Sequence, residues 1–159
     1  MKQTDSRKIN QKSAVLFWIL TIICMGVIFW FSSRTANEST EQSNVFVGWL
    51  MRLFGDSELW VFIVRKSAHC LEFTGLSLLF NCAWYFTRNK KSVMISLACT
   101  SLYAVTDEVH QLFVEGRSCE LRDWAIDTFG AILGAAGFLV IFAIVQKIIN
   151  NKQKKRKNK

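Results

Sequence analysis

Residues 107–127 read DEVHQLFVEGRSCELRDWAID, and they join two strongly apolar runs. SVMISLACTSLYAV (92–105) precedes them, and WAIDTFGAILGAAGFLVIFAIV (124–145) overlaps their end and continues. Asp107, Glu108, His110, Glu115, Arg117, Glu120, Arg122, Asp123 and Asp127 are thus gathered in one hinge. Ionisable groups in or just beneath a bilayer are costly, so such a hinge marks a functional site by default.

Apolar blocks of roughly 18–22 residues recur along the chain, and that length crosses about 30 Å of hydrocarbon. Of the 159 residues, 51% are hydrophobic and none is proline, and the length allows one domain. A soluble bundle would show a polar face recurring through each helix, and these blocks show little of one. The reading is therefore an all-α membrane protein. It has four transmembrane helices, near 13–31, 67–86, 92–113 and 124–144, and an outer-face interfacial segment between helices one and two. A basic start before the first block also describes a secretory signal. The length of that block, and the lack of a small-residue cleavage site after Phe31, favour an uncleaved helix.

The connection 32–57 opens with polar SSRTANESTEQSN and ends in VFVGWLMRLF. Phe46, Trp49, Leu50 and Leu53 fall at i, i+3, i+4 and i+7, so this part suits either the membrane interface or a short helix packed on the bundle. Asp56 or Ser57 could cap the helix that follows. The domain plan is a basic N-terminus (1–12), a four-helix membrane domain (13–146) and a basic tail (147–159).

The formal net charge is +8, unevenly spread. The N-terminus, the 88–91 turn and the flank from Lys147 hold fourteen of the 20 Lys and Arg residues. The positive-inside rule then puts both termini in the cytoplasm, with 32–57 and 114–123 outside. The tail NNKQKKRKNK meets anionic lipid on this reading, and no nucleic-acid partner is expected. Eleven of the 12 acids fall on the outer half. Acids do not set topology, so a polar site at the outer face is one cause of that bias. The five cysteines (24, 70, 82, 99, 119) show neither CxxC nor a repeated spacing, although a Cys70–Cys119 bridge is conceivable. The six tryptophans mostly fall near span ends, as an aromatic belt would place them.

Three helix ends meet at the outer boundary. At about 1.5 Å per residue, His69, Glu72, Asp107, Glu108, His110, Asp123 and Asp127 share one depth. Lys66, His69, Glu72 and Phe73 share a stripe of the second spanning helix. Asp107, His110 and Gln111 share a face of the third. Asp123, Asp127, Gly130 and Gly134 share a face of the fourth, where the GxxxG pair permits close approach. Gly116 marks the turn before Arg117.

These residues carry a resemblance. RKSAHCLEF and YAVTDEVHQLFVEGRSCELRDWAIDTFGAILG resemble the VanZ family of small bacterial membrane proteins. The matching positions are Lys66, His69, Glu72-Phe73, Asp107-Glu108, His110-Gln111, Gly116-Arg117, Asp123, Asp127 and Gly130, within a match over roughly residues 16–146. FSSRT after the first block is weakly similar too. Phe73 stands where tyrosine is common in the family, and Cys119 with Glu120 occupies a variable turn. The resemblance implies a multi-pass protein of the bacterial cell membrane that lowers susceptibility to teicoplanin-type glycopeptides; it does not supply a reaction.

Three uses of the constellation stay open. As an enzyme, His69, Glu72, Asp107, Glu108 and His110 are the candidate acid–base residues. Lys66, Gln111, Arg117, Asp123 and Asp127 are then the candidate substrate contacts. A polyprenyl-linked or other envelope lipid would be the substrate, with Lys66 and Arg117 at its phosphate. A divalent metal is an optional cofactor, with His69, Glu72, Glu108, His110 and Asp127 as candidate ligands. As a binding protein, the chain would hold the acyl-bearing drug or shield a lipid-linked cell-wall precursor. As structure alone, Lys66 would pair with Glu72, and Arg117 with Asp123 or Asp127.

Overall fold

The computed structural model describes residues 2–55 and 59–157. Among them run five helices and no strand: α1 (Lys2–Ser32), α2 (Ala36–Phe54), α3 (Leu59–Arg88), α4 (Val93–Gln111) and α5 (Leu121–Lys157). The helical class is as expected. The predicted start of α3 at Asp56 or Ser57 lies outside the described residues.

The connection after α1 differs from the sequence reading. Its polar half is already helix, beginning at Ala36. Thr35 and Glu38 form a reciprocal capping box. The Thr35 hydroxyl accepts from the Glu38 N–H at 3.3 Å, and Glu38 Oε2 accepts from the Thr35 N–H at 3.0 Å. Two otherwise orphaned donors are satisfied, which is enough to start a helix in a polar stretch. Phe46, Trp49 and Leu53 point outward at 67%, 62% and 56% exposure, while Val47 is buried. Most of the apolar stripe of α2 is therefore exposed, although Leu50 is half-buried and α2 packs on α3.

Helix α3 is central and packs against all four others. Its tightest neighbour is α5, for a reason visible in the glycines. A Cβ on Gly130 would fall on the Cys70 carbonyl, and one on Gly134 on the Thr74 carbonyl and 2.9 Å from the Ser77 Cβ. The absence of side chains lets the two backbones approach closely. Polar groups then cross the gap: the Thr74 hydroxyl donates to the Gly130 carbonyl at 3.0 Å, and the Ser77 hydroxyl to the Ala131 carbonyl at 2.7 Å. Gly137 plays a lesser part, since a Cβ there meets only the Leu78 Cδ1 at an ordinary 3.7 Å.

Phe73, Leu76, Phe80, Ile28 and Ala104 form the apolar core. Trp18, Trp84 and Trp124 pack against it, so half of the expected tryptophan belt is bundle packing. Trp18 donates to the Thr87 hydroxyl at 3.0 Å and meets Trp84 edge-on at 5.2 Å. Trp30 and Trp49 remain exposed.

Among the described residues, two helices are long and apolar enough to cross a membrane: Asn10–Ser32 in α1, with mean hydropathy 2.5, and Leu121–Arg156 in α5, with mean hydropathy 2.4. Helices α3 and α4 bury Ser77, Asn81, Ser96, Thr100, Asp107 and Glu108, which lower their hydropathy. All five cysteines are free, so the conceivable Cys70–Cys119 bridge does not form.

Candidate functional site

The polar residues gather where α3 begins, α4 ends and α5 begins. Gly116 adopts φ +73° in the α4–α5 turn, a left-handed conformation that favours glycine. The chain therefore folds back there, and Arg117 is set against the end of α1. Its Nε donates to the Arg34 carbonyl at 2.9 Å. Burial pushes the Arg117 guanidinium below its usual range, and the Arg65 charge beside it adds to that.

The upper level of the site is a cleft of about 230 Å³. Arg65, Lys66, Arg117 and Arg122 line it, with Phe62, Gln111, Ser118 and Asp123. Lys66 and Arg122 both lie over the Phe62 ring, at 5.6 and 5.0 Å from its centroid. Arg122 also pairs with Glu120 at 2.8 Å. The Ser118 hydroxyl donates to the same carboxylate, which holds Glu120 below its usual range. A second cleft, of about 260 Å³, lies toward α2 and shares Arg65 and Arg117 with the first. Its other walls include Phe31, Phe46, His69 and Glu72, so it is the more apolar of the two.

Beneath lies a buried acidic level. Lys66, His69, Glu108, Asp123, Ile126 and Asp127 enclose a cavity of about 10 Å³. Asp107, Glu108 and Asp127 are 2%, 3% and 1% exposed. The Asp107 Oδ2 accepts from Ser32 and Gln111, each at 3.0 Å, and the Glu108 Oε2 accepts from the Glu120 N–H at 3.0 Å. By contrast, both Asp127 oxygens, Asp107 Oδ1, Asp123 Oδ1 and His69 Nδ1 are buried without a hydrogen-bond partner. Buried polar atoms are almost always satisfied, so this concentration sets the level apart.

Four of the five sequence-predicted substrate contacts (Lys66, Gln111, Arg117, Asp123) line the upper cleft, and the fifth, Asp127, lies below it. Several expected pairings are different. Lys66 pairs with Asp123, not Glu72, and Arg117 bonds a backbone carbonyl in place of Asp123 or Asp127. The candidate metal set also changes. One donor atom each from His69, Asp107 and Asp127 lies within 4.8 Å of the others. Glu72 instead faces His69 Nδ1 at 3.7 Å, longer than a hydrogen bond. His110 leaves the set: it stacks on Phe29 at 4.2 Å and bonds the Ser33 hydroxyl at 3.0 Å. Glu108 stays at the edge, lining the small cavity but held by the Glu120 amide.

Sequence reasoning missed Arg65 as a cleft wall, placed Arg122 only in the hinge, and missed Ser32 and Ser33 as partners of Asp107 and His110. The signal for the two serines was the FSSRT run, whose polar residues end an apolar helix at the depth of the acids.

No curated protein and no solved structure matches this chain. The family model described as VanZ/LLP1 matches residues 17–144, most of the chain and all of the site described above. The chain belongs to the VanZ/LLP1 family.

Proposed function

We propose that this chain is a multi-pass protein of the bacterial cell membrane that lowers susceptibility to teicoplanin-type glycopeptides by engaging an anionic, lipid-anchored ligand at its outer face. The observation that carries this reading is the upper cleft, where Arg65, Lys66, Arg117 and Arg122 meet beside the apolar second cleft. Only Lys66 and Arg122 have carboxylate partners among the described residues near the cleft. Arg65 and Arg117 are left to face an anion, for which a guanidinium fork suits phosphate or carboxylate. A polyprenyl-linked cell-wall precursor offers phosphate beside a hydrocarbon chain, and an acyl-bearing glycopeptide offers carboxylate beside one.

On this reading all of α1, α3, α4 and α5 cross the bilayer, both termini are cytoplasmic, and α2 lies in the outer interface. The outward-facing Phe46, Trp49 and Leu53 support that place for α2, because such side chains settle at the headgroup boundary. The exposed apolar faces of α1 and α5, Ile19, Ile22 and Ile23 on one and Ile132, Val140 and Ile144 on the other, are what lipid would cover.

Topology has a direct check. Cys119 is exposed in the α4–α5 turn. A membrane-impermeant maleimide added to intact cells is expected to label the wild type and not Cys119→Ser. Labelling only after permeabilisation would invert the orientation.

The cleft is tested by teicoplanin susceptibility of a sensitive Gram-positive host. The wild type is expected to raise the inhibitory concentration, and Arg65→Gln at matched protein level to reduce that protection roughly tenfold, as loss of about 1.4 kcal/mol of ligand binding would. Full protection by Arg65→Gln would remove the cleft from the function.

A second reading is favoured by the unpartnered carboxylates directly beneath the cleft. Here the same ligand is turned over, with a carboxylate or His69 moving a proton at its headgroup. Product formation from a lipid-linked substrate by the purified protein would separate this from binding alone.

A further inference from the structure

The buried level under the cleft holds more carboxyl groups than cationic side chains. Helix α3 brings His69, Glu72 and Lys66 to it, α4 brings Asp107 and Glu108, and α5 brings Asp123 and Asp127. Lys66 is committed to Asp123. Glu108 accepts a backbone N–H, and Asp107 accepts from Ser32 and Gln111 through one oxygen only. The remaining Asp107 oxygen, both oxygens of Asp127 and Nδ1 of His69 have no hydrogen-bond partner. Asp127 is 1% exposed, so water cannot freely satisfy it.

We infer that His69, Asp107 and Asp127 form a binding site for one divalent cation of the zinc class. Three helices each supply one donor atom, and the three atoms lie within 4.8 Å of one another. One imidazole nitrogen with two carboxylate oxygens is a donor set that zinc accepts, and three protein ligands leave a position for water or a ligand oxygen. The adjoining cavity of about 10 Å³ borders both His69 and Asp127, which gives that position room. Lys66 lines the same cavity, but its charge is already balanced by Asp123. Cation binding answers two features at once: it removes the unpaired oxygens and offsets the excess of carboxylates.

The inference does not rest on the drug reading, since ion retention is measured with no drug present and either can fail alone. The full chain, purified in detergent and stripped with EDTA, is incubated with zinc chloride, desalted and analysed for metal. The wild type is expected to retain about one zinc per chain, with a rise in its unfolding temperature. Asp127→Asn and His69→Gln are expected to weaken retention at least roughly tenfold and to lose the temperature rise, while Glu115→Gln, in the exposed turn, behaves as the wild type. X-ray absorption on the zinc-loaded wild type is expected to show nitrogen and oxygen neighbours at about 2.0–2.2 Å and no sulfur. That spectrum decides the matter even where a variant fails to fold. Absence of saturable retention by the wild type, equal retention by both folded variants, or sulfur in the zinc shell would overturn the site.

Discussion

Gly134→Leu is expected to abolish accumulation of folded protein, while Gly75→Leu leaves it near the wild-type level. The difference is what each new side chain meets. At Gly134 even a Cβ lands on the Thr74 carbonyl and lies 2.9 Å from the Ser77 Cβ. Backbone cannot rotate away as a flexible side chain can, so α5 must move off α3. The Thr74–Gly130 and Ser77–Ala131 hydrogen bonds stretch with that movement. Overpacking of this kind costs typically about 1–3 kcal/mol, and a leucine forced against backbone should exceed that range. A net stability of about 5–15 kcal/mol tolerates few such losses. At Gly75 nothing lies within 4 Å. Gly137→Ala is expected to stay near the wild type, because its Cβ makes an ordinary contact with Leu78 and alanine suits a helix better than glycine. Detergent-solubilised yield and unfolding temperature, compared across Gly75, Gly134 and Gly137 variants, check the order. Equal behaviour of Gly75→Leu and Gly134→Leu would show that α3 and α5 do not approach as described.

Glu108→Gln is expected to remove protection against teicoplanin while leaving the protein folded. Glu108 is 3% exposed, and its Oε2 accepts the Glu120 N–H at 3.0 Å. Glutamine has the same shape and keeps an amide oxygen for that bond, so the α4–α5 turn retains its hold on α4. What disappears is one negative charge on the wall shared with His69, Asp123 and Asp127. Buried charge acts strongly on its neighbours because little water screens it. The measurement is the inhibitory concentration for a sensitive host carrying either form at matched level, with unfolding temperature as the fold control. Protection lost with the fold intact places the function in the acidic level. Equal protection makes Glu108 a packing residue and moves the weight to the cleft above. No protection by either form sets aside the drug phenotype for this chain.

The sequence by itself determined the helical class, the apolar blocks, the gathering of ionisable groups at three helix ends and the glycine face of α5. Each is a matter of composition and helical period, which any helix expresses whatever it packs against. It also contains the capping box of α2, in the Thr35–Glu38 spacing within the polar stretch 32–44. Only the tertiary structure decided which ionisable groups meet. Asp107 and His110 are three residues apart and share one face by spacing, yet Asp107 turns to Ser32 and Gln111 while His110 turns to Phe29 and Ser33. Three residues at about 100° each leave the two side chains roughly 60° apart, enough to give them different neighbours in a tight bundle. Likewise Lys66 finds Asp123 and not Glu72, because the close α3–α5 crossing at Gly130 and Gly134 brings the first turn of α5 against the base of α3. Depth is written along each helix, but partnership depends on how the helices are rotated and how closely they pack.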